Sequence, residues 1–182
     1  MLQRFALLLT LVCASSVVVS AAEQPAFDAE KSKLSFTGSK PDGKHDGGFK
    51  KFTADVTLNV EEPNKGSLKI EIDATSLWSD ADKLTNHLKN PDFFDVRKYP
   101  KITFESTKIE HDPSQDKVNI VGKLTMLGKT VEVTIPSMPK LTEDMLVLAA
   151  NFDIDRTKWG MNYGKGKIDD KVAIQALLVF KR

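Results

Sequence analysis

Hydrophobic and polar residues alternate with a period of two along most of the chain. Leu34, Phe36 and Gly38 fall on one side of a first segment, with Ser35 and Thr37 on the other. Phe52, Ala54, Val56, Leu58 and Val60 alternate with Thr53, Asp55, Thr57 and Asn59. Leu68, Ile70, Ile72 and Ala74 follow, then Ile102 and Phe104, and then Val118, Ile120, Gly122, Leu124 and Met126. Val131, Val133 and Ile135 come next, before the long runs Leu146 to Ile154 and Val172 to Phe180. Strict alternation sends one face of each strand into a core and the other into water, as in an antiparallel sheet. Turn-forming residues separate the runs at Glu62 to Gly66, His111 to Ser114 and Gly160 to Gly166. Roughly eight strands in one domain predict a closed barrel or a sandwich.

The pattern changes period once. Ser79-Asp80-Ala81-Asp82 resembles a capping box, and Ala81, Leu84 and Leu88 share one helical face until Asn90-Pro91. The spacing predicts one helix over about residues 80–89, inserted in an otherwise β chain and placed over one end of it. Phe93, Phe94 and Tyr99 follow in a proline-bounded stretch. They either plug that end as core or gate a ligand space. Adjacent residues of an extended segment point to opposite sides, so only one of Phe93 and Phe94 is expected to face inward.

Several inward positions are very small: Gly38, Ala54, Gly122, Ala150 and Ala176. An eight-stranded barrel is just wide enough to be filled by side chains or to hold one ligand. Small residues on five strands leave a lengthwise space, or else alternate with large neighbours to fit the taper.

Residues 1–22 change the cellular setting. Arg4, an apolar run from Phe5 to Val19 and the small residues Ser20-Ala21-Ala22 read as a secretory signal peptide. Cleavage after Ala21 or Ala22 leaves a single domain over 23–182, exported and without stable membrane insertion. Cys13, the only cysteine, leaves with the leader, so the mature chain has no disulfide, thiolate nucleophile or cysteine ligand. Removing Arg4 from 26 Lys and Arg leaves 25 against 25 Asp and Glu. That balance argues against nucleic acid as a partner.

Catalytic signatures are absent. There is no G-x-S-x-G or H-E-x-x-H, and Gly128-Lys129-Thr130 has Lys123 where a phosphate loop needs glycine. His45, His87 and His111 share no strand or helix face, which argues against a metal site.

The stretch Asn86 to Val96 (NHLKNPDFFDV), followed by Tyr99 to Ser106 (YPKITFES), resembles the central signature of the YceI-like, polyisoprenoid-binding proteins. His45-Asp46-Gly47-Gly48-Phe49, Gly122 to Thr125 with Gly128 to Thr130, and Asp155-Arg156 with Trp159 to Met161 are similar to further segments of that family. The resemblance spans nearly all of residues 26–182. It implies an all-β fold: a single extended, antiparallel, eight-stranded lipocalin-like barrel with one short helix. It also implies a periplasmic or secreted binding protein, with no catalysis and no cofactor. The implied ligand is an amphiphilic isoprenoid lipid, an isoprenoid quinone included, held by a monomer or homodimer. A solid adaptor barrel and an unrecognised hydrolase are the alternatives.

Under that reading the apolar wall and lid comprise Phe36, Ala54, Val56, Leu58, Ile70, Ile72, Leu84, Leu88, Phe93, Phe94 and Phe104. They continue with Ile120, Leu124, Leu148, Ala150, Phe152, Trp159, Ile174, Ala176 and Leu178. His45, His87, Arg156 and Lys165 are the candidates for a polar head group at the rim. Leu127 stands where many relatives carry His, a departure that bears on ligand identity if that His orients a polar head group in relatives.

Overall fold

A computed structural model describes residues 22–59, 61–112 and 116–182. Residues 1–21 of the expected leader, Val60 and part of the turn after Asp112 lie outside the described residues. The strands are β1 (Ala26–Phe27), β2 (Lys33–Lys40), β3 (Gly43–Phe49), β4 (Phe52–Thr57), β5 (Ser67–Asp73) and β6 (Leu77–Ser79). After helix α1 (Asp82–Leu88) come β7 (Lys101–Asp112), β8 (Lys117–Met126), β9 (Lys129–Leu141), β10 (Met145–Asp155) and β11 (Lys171–Lys181).

The sheet runs in the order β4-β5-β7-β8-β9-β10-β11-β2-β3-β6, antiparallel throughout. Its two ends are the same pair of strands. Only Lys50 and Lys51 separate β3 from β4, and one 3₁₀ turn (Ala74–Ser76) separates β5 from β6. The β3–β6 ladder (Phe49 opposite Leu77) therefore continues into the β4–β5 ladder (Phe52 opposite Ile72). Between them, Lys50 N donates to Ser76 O and Asp73 N to Lys51 O. Counting β3 with β4 and β5 with β6 as single staves, and leaving β1 aside, the eleven strands make a ring of eight. Of the barrel and the sandwich that the alternation allows, this is the barrel, with the eight staves that the family resemblance implies.

Two apolar clusters close the ring. The upper one gathers Phe49, Leu77, Leu88, Phe93, Val96, Met126, Trp159 and Met161 under α1 and the adjoining turns. The lower one packs Ala54, Val56, Leu68, Val118, Leu146 and Phe180. Phe27 of β1 stacks there between Phe52 and Phe180, with ring centroids 5.6 and 5.7 Å away. Below it, Asp28 is buried against Lys181 Nζ at 3.0 Å, and Ser32 Oγ accepts from Val179 N.

Three expectations are corrected. β3 is a full strand, although His45 to Gly48 carry no alternating apolar signal. Ser79 caps no helix: it ends β6 opposite Gly47, and Thr85 Oγ1 takes its backbone N–H at 2.8 Å. The helix starts at Asp82, its N-cap Ala81 gives no side-chain hydrogen bond, and Ala81 itself is exposed, outside the lid. Phe93 and Phe94 do not alternate either, because their segment is not extended. Phe93 N bonds Asn90 O and Phe94 N bonds Leu88 O, and these turns send both rings inward.

Candidate ligand cavity

Between the two clusters lies a cavity of about 230 Å³. Its wall comes from the inward face of nearly every stave. Phe36 on β2, Ile70 and Ile72 on β5, Phe104 on β7, and Ile120 and Leu124 on β8 line it. So do Leu148, Ala150 and Phe152 on β10, and Ile174, Ala176 and Leu178 on β11. Leu84 and Leu88 of α1, with Phe93 and Phe94, form its roof.

The roof is firmly framed. Asp95 N bonds Asn90 O, Val96 N bonds Lys89 O and Tyr99 N bonds Asp95 O, so the turn satisfies its own backbone. His87 Nε2 lies 3.0 Å from Asp92 Oδ2 and ties the helix to that turn. Phe94 packs edge-on to Phe49 at 5.7 Å, and Phe93 lies among His87 and Tyr163 at 5.1 and 5.3 Å.

Four of the apolar residues expected at the cavity are elsewhere. Ala54 and Val56 belong to the lower cluster, and Leu58 lies beyond them, bonded to Glu23. Trp159 belongs to the upper cluster, 1% exposed, with its indole N–H on Leu124 O at 3.0 Å. Tyr99 is outside too; its ring lies against Gly128 and under Lys98 Nζ.

The small positions divide in the same way. A Cβ on Gly38 would meet nothing within 4 Å, and Ala150 and Ala176 also border the open space. At Gly122 the space is taken: a Cβ would stand 2.5 Å from the Phe104 ring. Both sequence-level accounts of the small residues therefore operate, on different strands.

The head-group candidates separate by what their polar atoms already touch. Arg156 reaches the cavity but is 3% exposed. Its Nε donates to Asp169 O, Nη1 to Met161 O and Tyr163 O, and Nη2 to Ile168 O and, at 3.5 Å, Asp170 Oδ1. A guanidinium has five N–H groups. All five hold the loop between β10 and β11, which corrects the expectation that Arg156 meets a head group. His87 is on the outer side of the roof, and Lys165 is an exposed loop residue; neither lines the cavity.

His45 does line it, beside Ser39, Lys40, Asp46 and Ser79. These residues form a polar rim where the β2–β3 hairpin meets β6. His45 Nδ1 is 3.0 Å from Asp80 Oδ1, and Asp80 Oδ2 accepts from Asp46 N at 3.1 Å. The bond from His45, then that from Asp46 N, holds the Asp80 carboxyl below its ordinary value. Ser79 Oγ is committed to Ala81 O and Thr85 Oγ1, so it is not held against His45 as a nucleophile would be. Among the described residues, no group of three or more His, Cys, Asp or Glu side chains is placed to hold a metal ion.

Sequence reasoning missed several wall residues. Leu34, Ile102, Met126, Ile154 and Val172 line the cavity and were legible from the alternation. Met161 and Ile168 line it from the glycine-rich loop, where no period marks them.

Residues 26–180 match the family profile described as the YceI-like domain. Among curated proteins, a UPF0312 protein of Pseudomonas putida strain GB-1 is 33% identical over 88 residues, 48% of this chain and 45% of that one. Protein YceI of Escherichia coli O157:H7 is 34% identical over 89 residues, 49% of this chain and 46% of that one. These alignments span about half the length of the relatives. Among solved structures, Burkholderia cenocepacia BcnA superposes with a TM-score of 0.78 at 29% identity, covering 84% of this chain and 98% of that one. A polyisoprenoid binding domain from Saccharophagus degradans gives 0.64 at 14% identity, over 88% of this chain and 99% of that one, a likeness of fold alone.

Proposed function

The chain belongs to the YceI-like family, and from that premise we propose that it is an exported carrier, with no catalytic activity, of an isoprenoid or similar amphiphilic lipid. The observation that carries the reading is the cavity of about 230 Å³, walled mainly by aliphatic and aromatic side chains, with most of its polar residues at the His45 rim. The name of the Saccharophagus domain, a polyisoprenoid binding domain, supports the ligand class. In this reading the apolar chain lies among Ile70, Phe104, Leu148 and Ile174, and the head group meets His45 and Ser39. Each buried CH₂ is worth about 0.8 kcal/mol. Ten such groups contribute about 8 kcal/mol against an association cost of about 4–15 kcal/mol, so retention rises steeply with the length of chain buried.

Export rests on the leader-like residues 1–22. Among the described residues, no helix is long and apolar enough to cross a membrane. The mature chain then starts at Ala22 or Glu23 and carries the domain over 23–182; N-terminal sequencing of exported protein checks the start. A mature protein starting at a lipidated Cys13 contradicts the soluble carrier.

Solvent extraction and mass spectrometry of the purified protein test the function. A stoichiometric isoprenoid, quinone or free chain, is the expected result. Lipid-free protein that also fails to bind added polyprenyl phosphate refutes the reading. Turnover of small esters by such protein points to the hydrolase, and its absence to an adaptor.

A further inference from the structure

The barrel wall is not continuous. β9 pairs with β8 along its length from Lys129 to Ser137, but with β10 only from Ser137 to Leu141. β10 pairs with β11 from Met145 to Asp155. Above the Ser137–Ala150 pair, then, the first half of β9 and the second half of β10 face each other without a ladder. The next pair in register would set Pro136 against Asn151, and proline has no N–H to give.

The gap is framed on all sides. Val133 and Ile135 form one edge and Phe152 and Ile154 the other, all four only half-buried. Of these, Ile135, Phe152 and Ile154 also line the cavity. Trp159 closes the top by reaching from the end of β10 to Leu124 O on β8. A side chain that touches both the interior and solvent, between unpaired strands, borders an opening.

Two further observations say what passes through it. Drug-sized ligands occupy pockets of about 300–1,000 Å³, and the cavity holds about 230 Å³. A chain longer than that space needs a way out of it. Directly below the gap, one cross-strand row of the outward face is apolar. Met138 is 53% exposed and pairs with Ala149, which pairs in turn with Leu177.

We propose that the gap between β9 and β10 is a lateral portal through which the distal part of a long apolar chain leaves the barrel and lies on the Met138–Ala149–Leu177 stripe. The inference rests on the carrier reading above and extends it: the protein selects long chains without enclosing them. Chain length is then limited by the outer stripe, and the head group stays at the His45 rim.

The test closes the portal from outside after folding. Thr134 and Asp153 are exposed, outward-facing residues on its two lips. Thr134→Cys with Asp153→Cys, in a mature chain without other cysteines, is cross-linked by a short bis-maleimide. Binding is measured for prenyl phosphates of two and eight isoprene units. Cross-linking is expected to lower affinity for the eight-unit chain at least about tenfold, equivalent to about two lost CH₂ burials. The two-unit chain should change less than about twofold, and the reduced, unlinked variant should match wild type. Met138→Lys, which places a charge on the stripe, should independently weaken the eight-unit chain about threefold. Cross-linked protein that loses both chains equally, or neither, overturns the portal while the carrier reading stands. Wild-type protein that binds neither chain overturns both.

Discussion

Gly38 and Gly122 occupy inward positions of the same barrel, yet alanine should have opposite effects at the two. At Gly122 the new methyl would stand 2.5 Å from Phe104 Cζ and 2.6 Å from the Glu105 carbonyl oxygen. The ring can rotate away only into the cavity, and the carbonyl belongs to the neighbouring strand and cannot retreat. Overpacking of that kind costs about 1–3 kcal/mol. At Gly38 nothing lies within 4 Å, so the methyl enters open space. There the loss of glycine's freedom in the unfolded chain stabilises by about 0.4–1 kcal/mol. In a domain of this size 1 kcal/mol moves Tm by about 2–4 °C. Gly122→Ala should therefore melt roughly 2–12 °C lower than wild type, and Gly38→Ala up to about 4 °C higher. Gly38→Leu should fold as well as wild type but bind a fluorescent prenyl phosphate more weakly, because its side chain enters the cavity beside the rim. Parallel melting shifts for the two alanine variants would refute the reasoning, since they would mean that both sites are packed or both are open.

Three further outcomes follow from the same structure. Arg156→Lys keeps the charge but offers three donors to five oxygens, and should cost about 2–4 kcal/mol, with faster proteolysis of the β10–β11 loop as the local readout. Lys181, then the backbone N–H of Lys31, holds the Asp28 carboxyl below its ordinary value. A carboxyl depressed in the folded state contributes stability above its unfolded value, and that contribution disappears as pH falls through the folded value. The Tm gap between wild type and Asp28→Asn should thus be full at pH 7 and shrink below about pH 4; a gap that stays constant to pH 2.5 contradicts the pairing. Phe94→Ala should speed release of a fluorescent isoprenoid at a modest stability cost, whereas Phe93→Ala, in the buried upper cluster, should lose about 3–5 kcal/mol; equal off-rates for both and for wild type make the roof a plug only.

The barrel was legible because alternation is a property of each strand alone. Val118 to Met126 or Val172 to Phe180 alternate whatever lies beside them, and an antiparallel ring is the way to bury every such face at once. β3 escaped because its inward positions include Gly47 and His45, leaving Phe49 as a single apolar signal. The Phe36 ring fills the space at Gly47, 2.5 Å from where a Cβ would stand, so the apolar atom that belongs to β3's face is supplied by β2. Phe93 and Phe94 were misjudged for a related reason. Their directions are set by turn hydrogen bonds to Asn90 and Leu88, and period-two reasoning has no purchase on a turn.

The cavity itself was legible only in part, because alternation says which side a residue faces and not how deep along the axis it sits. Ala54 and Ala150 face inward equally; one is 2% exposed in the lower cluster with Phe180, and the other borders the open space. What separates them is the register of strands far apart in sequence, which decides whether a large partner reaches a small one. Gly122 shows the rule from the other side: it pairs with Val133 on one strand and Ser106 on another, and Phe104 leans into it from two residues away. Proline acts more locally. Pro136 and Pro139 stand inside a run that otherwise reads as an ordinary strand, and prolines belong at edges. Each marks a stretch where β9 lacks one neighbour: Pro139 pairs with β10 but lies past the end of the β8 ladder, and Pro136 pairs with β8 but lies past the end of the β10 ladder, where the wall of the barrel opens.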